Sequence, residues 1–545
     1  NTFQCNFIGT NVAGTAIIPN EREGIRLTNS ANGNLIGGTQ ANQRNLISAN
    51  KSGQIDINES SANNIVQGNY VGTDVTGTIG LSYHVETFTI EVDDDSHDAL
   101  IGGTTPGAGN LFSGNGGDGI QIDDDAYNVT VQGNLVGTDY TGTKALPNLG
   151  DGIEVDDDAF NVLIGGTTPA ARNIISGNDE EAFQIDDRAR NVFIYGNYIG
   201  TDITGTFAIP NGRDTSDTDN LNPLSAFEID DGADSIFVGG LEPGQGNIIS
   251  GNFSGGFEIN DDADNVFIRG NKIGLNVNGD PLGNGNHGIY VGGDALNVVI
   301  EQNEIAFNQG AGILLGEESQ VTSTVPTGVR ISRNSIYNNA GLGIDITLGG
   351  LLPEARFLPG DGQNTNDPQD VDQGPNGLQN APVLTSAETE NVDLLIIKGT
   401  LNSRPNTLFR IEFFASEVCN GNVSGQSDST ALFGEGQIFL GFIGATSDSN
   451  GDLNFSSDFT AEIPDGYAIT ATATDPNDNT SEFSNCVSNV NKAPVTQMLT
   501  LDVVEDAYLE NGNRFNNNSL RIEGDRRRTY LKFDPIQFNG QITAA

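Results

Sequence analysis

Aspartates recur at a fixed place in a repeat of this 545-residue sequence, and their spacing is its main chemical signal. Ile120-Gln-Ile-Asp-Asp-Asp125, Ile153-Glu-Val-Asp-Asp-Asp158 and Phe183-Gln-Ile-Asp-Asp187 each run from a short apolar–polar–apolar segment into acids. The first Asp falls at 93, 123, 156, 186 and 230, with Asn260 next in the series. If the two apolar residues turn inward, period-two alternation leaves Asp123 and at least one neighbour outside or in the turn. Stacked units then bring carboxylates about 5 Å apart, where each pair repels by about 0.9 kcal/mol in water and several-fold more at a protein surface. Intercalated cations relieve such a column, and hard carboxylate oxygens suit Ca²⁺. The expected ligands are Asp93, Asp94, Asp123, Asp124, Asp156, Asp157, Asp186, Asp187, Asp230, Asp231, Asp261 and Asp262. A second reading stays open, in which Asp serves only as a solvated turn former.

Other residues with chemical potential are scattered. Arg188 and Arg190 interrupt the acidic column and are expected to neutralise it locally. His97, Tyr127 and Phe160 flank it, as a sugar-stacking rim or as turn cover. The three cysteines, Cys5, Cys419 and Cys486, contain no Cys-x-x-Cys spacing, which excludes thiolate zinc sites and thioredoxin-like redox chemistry. Cys419 and Cys486 form a candidate disulfide, which would fit an oxidising compartment.

The elements that must position these residues are repeats. Asn128-Val-Thr-Val-Gln-Gly-Asn-Leu-Val-Gly-Thr-Asp139 returns as Asn191-Val-Phe-Ile-Tyr-Gly-Asn-Tyr-Ile-Gly-Thr-Asp202 and, one residue shorter, as Asn64 to Asp74. A second unit alternates with it, Ile101-Gly-Gly-Thr-Thr-Pro to Asn115 and Ile164-Gly-Gly-Thr-Thr-Pro to Asn178. Strands this short bury nothing alone, so units must stack. The expectation is an all-β fold: a parallel β-helix with three strands per coil and about eleven coils over residues 1–350, with negligible α-helix. Asn69, Asn134, Asn197 and Asn271, and separately Asn50, Asn115, Asn178 and Asn252, are expected to stack as structural ladders at the turns.

A net charge of −49 argues against nucleic acid and anionic membranes as partners. No run of 18 apolar residues is present, so membrane insertion is not expected. Past an acidic linker at 351–380, residues 381–492 alternate as an antiparallel β-sandwich, and 493–545 hold strands of a partial β module or strand-donating tail. The first residues already lie inside a repeat, so the sequence reads as a portion of a longer or processed protein, with head-to-tail filaments through exposed β-helix ends as an expected self-association.

The repeats resemble those of secreted bacterial right-handed parallel β-helix proteins, a family of surface and adhesin-like type. The segment after them resembles an immunoglobulin-like module, and the tail resembles the opening of a carbohydrate-binding module. That resemblance implies an extracellular or cell-surface location and a polysaccharide or cell-surface ligand. Pectinase-type hydrolases of similar fold use Asn-Thr-Asp, Asp-Asp, Gly-His-Gly and Arg-Ile-Lys on neighbouring coils. Here Asp-Asp recurs on many coils, Asn286-His287-Gly288 matches only in part, and Arg-Ile-Lys is absent. For a lyase, Arg188, Arg190 and His287 are the candidate bases. Because an active site would break the repeat locally, the first expectation is a non-enzymatic, calcium-binding surface protein acting in adhesion or as a structural fibre subunit. The alternative is a polysaccharide lyase or glycoside hydrolase acting on an extracellular, acidic polysaccharide.

Overall fold

The structure is a computed structural model that describes residues 1–83, 88–213, 224–316, 324–347, 360–390, 394–417, 419, 434–461 and 463–491, and the backbone of 505–510, 513–515 and 527–532. Part of the acidic linker (351–359) and most of 493–545 lie outside the described residues. The chain divides into two units, Asn1–Asn491 and Lys492–Ala545.

The larger unit begins with a right-handed parallel β-helix of three sheets, each eleven strands deep. Each coil contributes one strand to each sheet. In one coil these are Thr130–Gln132 in the first sheet, Leu135–Val136 in the second and Ile153–Val155 in the third. Strands of two to six residues suffice because their backbone groups pair with the coils above and below. Register is strict: Ile120 faces Ile153, which faces Phe183, then Phe227 and Phe257. Like residues therefore stack inward on like, and Phe183, Phe227 and Phe257 form a fully buried ring column with centroids 4.6 Å apart. Gly102 turns the first sheet toward the second at φ 89°, and a Cβ there would lie 1.9 Å from the Gln132 carbonyl.

The last coil does not end in open water. A second, mostly antiparallel sheet of seven strands, running from Val383–Glu390 to Val487–Asn491, wraps around its own core of Leu395, Ile397, Phe409, Ile411, Phe413 and Phe455. Only the pairing of its first and last strands is parallel. Phe414 and Phe483 of this sheet join the core of the β-helix. Three buried glutamates cap the exposed backbone of the final coils. Glu412 accepts from Ser332 Oγ at 2.7 Å and Arg333 N at 2.8 Å. Glu435 accepts from Asn338 N and Asn339 N, and Glu482 from Ile346 N. The smaller unit contains a three-stranded antiparallel sheet with Glu505–Glu510 at its centre. No α-helix occurs among the described residues.

Candidate functional site

The candidate residues lie on the third sheet, on its outer face and along both margins. Following each strand, the first Asp of the acidic turn is not solvated as a turn former would be. Asp123, Asp156 and Asp186 are buried, while Asp93 and Asp230 are half-buried. The Oδ1 atoms of all five are buried without a hydrogen-bond partner, as is that of Asn58 in a flanking coil. Burial raises each carboxyl, aided by its neighbours: Asp93 to about 7, Asp123 to about 9, Asp156 to about 7, Asp186 to about 6 and Asp230 to about 8.

The second Asp of each turn does something else. Asp94, Asp124, Asp157, Asp187, Asp231 and Asp261 have φ between 37° and 48°, the left-handed region where Asp is tolerated. All but Asp187 are exposed. Register pairs Ile229 with Ile259, so Asn260 aligns with Asp230, and Asp261 and Asp262 occupy the second and third turn positions. The twelve aspartates expected from spacing therefore split into an inner column of buried or half-buried carboxyls with raised pKa and an outer column shaping the turn.

Sequence spacing missed a second acidic column and a third. Between the two inward residues of each strand stands one outward residue: Glu91, Gln121, Glu154, Gln184, Glu228, Glu258, Tyr290. Two residues before the first inward position stand Asp118, Asp151, Glu181, Ser225, Gly255 and His287. The signal was present in the alternation itself, since Ile153-Glu-Val places Glu154 outward by the same rule that buries Ile153. From the Glu91 coil to the His287 coil these columns contain no Lys or Arg. Burial and the surrounding acids push Glu91 up to about 8 and Glu154 to about 10. Glu181, almost fully buried, hydrogen-bonds through its side chain to both Asp151 and Glu228. Burial first, and neighbouring acids second, hold both Asp151 and Glu181 well above the usual carboxylate range. Asp118 accepts from the Asp151 amide at 2.7 Å.

Where the column reaches His287, the repeat changes character. Ala311 N donates to His287 Nδ1 at 2.8 Å, which leaves the ring proton of the neutral imidazole on Nε2, a buried atom without a partner. Burial lowers this histidine to about 4. It lines a small polar pocket with Ser225, Ser254, Glu258, Asn286 and Tyr290. The other two candidate bases are engaged: Arg188 bonds Asp158 at 2.8 Å, and Arg190 lies 4.7 Å over the Phe160 ring. His97, Tyr127 and Phe160 stack on one another, with centroids 4.6 and 5.0 Å apart, so Tyr127 is sandwiched between the other two, and Arg190 lies over Phe160.

The asparagine columns are scaffolding. Asn69 Nδ2 donates to Asn110 Oδ1, Asn110 to Asn134, and Asn134 to Asn173, each at 3.0 to 3.1 Å. Asn69, Asn134, Asn197 and Asn271 are thus alternate rungs of one ladder between the first and second sheets. Asn115, Asn178 and Asn252 are alternate rungs of another, between the second and third, joined through Asn148 and Asn211. Asn50 donates instead to Gln54. Cys419 and Cys486 are bridged by a disulfide. Two clusters among the described residues bring three carboxylates within 4.8 Å of one another, Asp56–Glu91–Asp93 and Asp367–Asp370–Asp372, and either has the donor set for a hard cation.

The family profile described as "Right handed beta helix region" matches residues 225–355. No curated protein matches the sequence. Among solved structures, the chain is similar to the periplasmic alginate epimerase AlgG (12% identity, 57% of this chain and 70% of that one, TM-score 0.31). It is also similar to the enzymatically active domain of bacteriophage CBA120 tailspike protein 2 (10% identity, 86% and 72%, TM-score 0.26). The A-module of the Azotobacter vinelandii mannuronan C-5 epimerase AlgE6 is a third (14% identity, 62% and 88%, TM-score 0.23). At such scores these likenesses carry no weight for substrate or reaction. No helix among the described residues is long and apolar enough to cross a membrane.

Proposed function

We propose that the outer face of the third sheet binds a polysaccharide and cleaves it by carboxyl-based glycoside hydrolysis. The observation that carries this reading is the contact of the buried Glu181 with Asp151 and Glu228 on a face bare of cationic side chains. Glycoside hydrolysis needs a carboxyl that stays protonated near neutrality beside a second carboxylate on the same face. Glu181 supplies the proton donor. Glu228 and Glu258, register partners on neighbouring strands spaced about 4.8 Å apart, supply the partner carboxylates. The lyase alternative is left with His287 as its base, a side chain buried at the end of these columns, since Arg188 and Arg190 are already engaged. With no Lys or Arg in these columns to pair with a polyanion, neutral or amino-containing glycans are the preferred substrates, rather than the acidic polysaccharide expected from sequence.

A non-enzymatic adhesive or fibre role ranks second, supported by the regularity of the Asp column. The deciding experiment measures reducing-end release from a panel of neutral, amino-containing and anionic polysaccharides. Release that falls by about 100-fold or more in Glu181→Gln, with the fold intact by circular dichroism, supports hydrolysis. Glycan binding without turnover on every substrate tested overturns it in favour of the adhesive role.

A further inference from the structure

We propose that Asp56, Glu91 and Asp93, on two adjacent coils of the third sheet, hold a divalent cation, with Ca²⁺ the best fit. Their ligand oxygens lie within 4.8 Å of one another, a span that one ion with oxygen ligands at about 2.4 Å bridges. Strand register explains the convergence. Asp56 and Glu91 are direct partners on the outer face, and Asp93 follows Glu91 by two residues, at the start of the turn.

Three features support a cation at this cluster. First, Asp56 is 3% exposed and its Oδ1 is buried without any hydrogen-bond partner, as is Asp93 Oδ1. Second, Asn58 donates its Nδ2 to Asp56 Oδ2 at 3.2 Å, leaving its own Oδ1 buried and without a partner. A shared proton satisfies a pair of carboxyl groups, but an amide oxygen needs a donor or a cation. Third, Arg26 Nε bonds Asp56 Oδ2 at 3.1 Å and offsets one of the three carboxylate charges. The remaining charge of −2 is that of one dication's counter-set. Three carboxylate ligands, with room for water, match the flexible shell of Ca²⁺ better than the strict octahedron of Mg²⁺.

This inference is independent of the hydrolytic reading, which concerns coils further along the same sheet. It is tested by calorimetric titration of the metal-stripped full chain with CaCl₂, with no glycan present. Saturable uptake is expected, weakened by about tenfold or more in both Asp56→Asn and Glu91→Gln. Asp94→Asn, which alters the exposed turn residue beside the cluster, and Glu181→Gln should bind as the parent does. Should Asp56→Asn fail to fold by circular dichroism, Glu91→Gln carries the test, because its carboxylate lies on the outer face and its amide is nearly isosteric. Absence of uptake, or uptake unchanged in Glu91→Gln, overturns the site. Uptake abolished instead by Asp156→Asn and Asp186→Asn, with Glu91→Gln unaffected, overturns it too and moves the ion further along the column.

Discussion

A carboxyl that holds its proton in the folded state makes stability depend on pH in a direction opposite to the usual salt-bridged acid. Glu154 is raised to about 10, Asp230 to about 8 and Asp156 to about 7, in each case by burial first and by neighbouring acids second. Unfolded carboxyls titrate near pH ~4. Between those limits the folded chain binds protons that the unfolded chain has released, so the stability these groups contribute is complete below about pH 4 and is lost as pH rises through 7 to 10. His287 acts at the other end: lowered to about 4, it contributes stability above the unfolded value of 6.5 that is lost as pH falls. The melting temperature should therefore peak in mildly acidic solution and decline toward pH 9. Scanning calorimetry at fixed ionic strength checks this, and Glu154→Gln should flatten the alkaline limb. A melting temperature that climbs steadily from pH 6 to 9 would contradict the buried-acid picture.

The coil owes its turns to side chains that replace missing backbone partners. Asn134 Oδ1 accepts from both the backbone and the side-chain nitrogen of Asn110, while its Nδ2 donates to the Ile101 carbonyl and to Asn173. Removing one rung strands buried groups on two neighbouring coils at once. Asn134→Ala should cost about 3 kcal/mol, since each buried polar group left unsatisfied costs roughly 1–3 kcal/mol. Substituting the exposed Asp125 with Asn, on the outer turn, should cost almost nothing by comparison. Chemical denaturation of the two variants makes the comparison directly. If Asn134→Ala melts with the parent, the ladder is decoration rather than scaffold.

At the scale of the whole larger unit, the seven-stranded sheet closes one end of the β-helix. An uncovered terminal coil would present unpaired strand edges to other chains. Glu412, Glu435 and Glu482 supply acceptors for the amides of the last coils, and Phe414 and Phe483 extend the apolar core beyond its final rung. Glu412→Ala leaves Ser332 and Arg333 N without their acceptor and should destabilise this end by about 3 kcal/mol. Hydrogen exchange should then accelerate at residues 330–346 while coils near Asn134 stay protected. Uniform exchange across all coils would show that the cap contributes nothing local.

By itself the sequence determined the coil. Period-two alternation and repeating Gly-Asn and Gly-Thr turns dictate which side chains face inward, because a strand of three residues has no other way to bury Ile120 and Ile122. The count of about eleven coils followed from the same repeats, and three sheets of eleven strands are observed. Tertiary structure decided what each acid does. Asp123 and Asp124 are adjacent and identical in type, yet one is buried with an unpaired oxygen and the other sits exposed at φ 41°. Asn69 and Asn134 looked like neighbours in a column, but Asn110 of the alternating unit stands between them. Glu181, Asp151 and Glu228 are 30 to 77 positions apart in sequence and meet only because coils stack in register. Local pattern fixes direction, inward or outward; the contact partner, and hence the proton, is set by the coil above and the coil below.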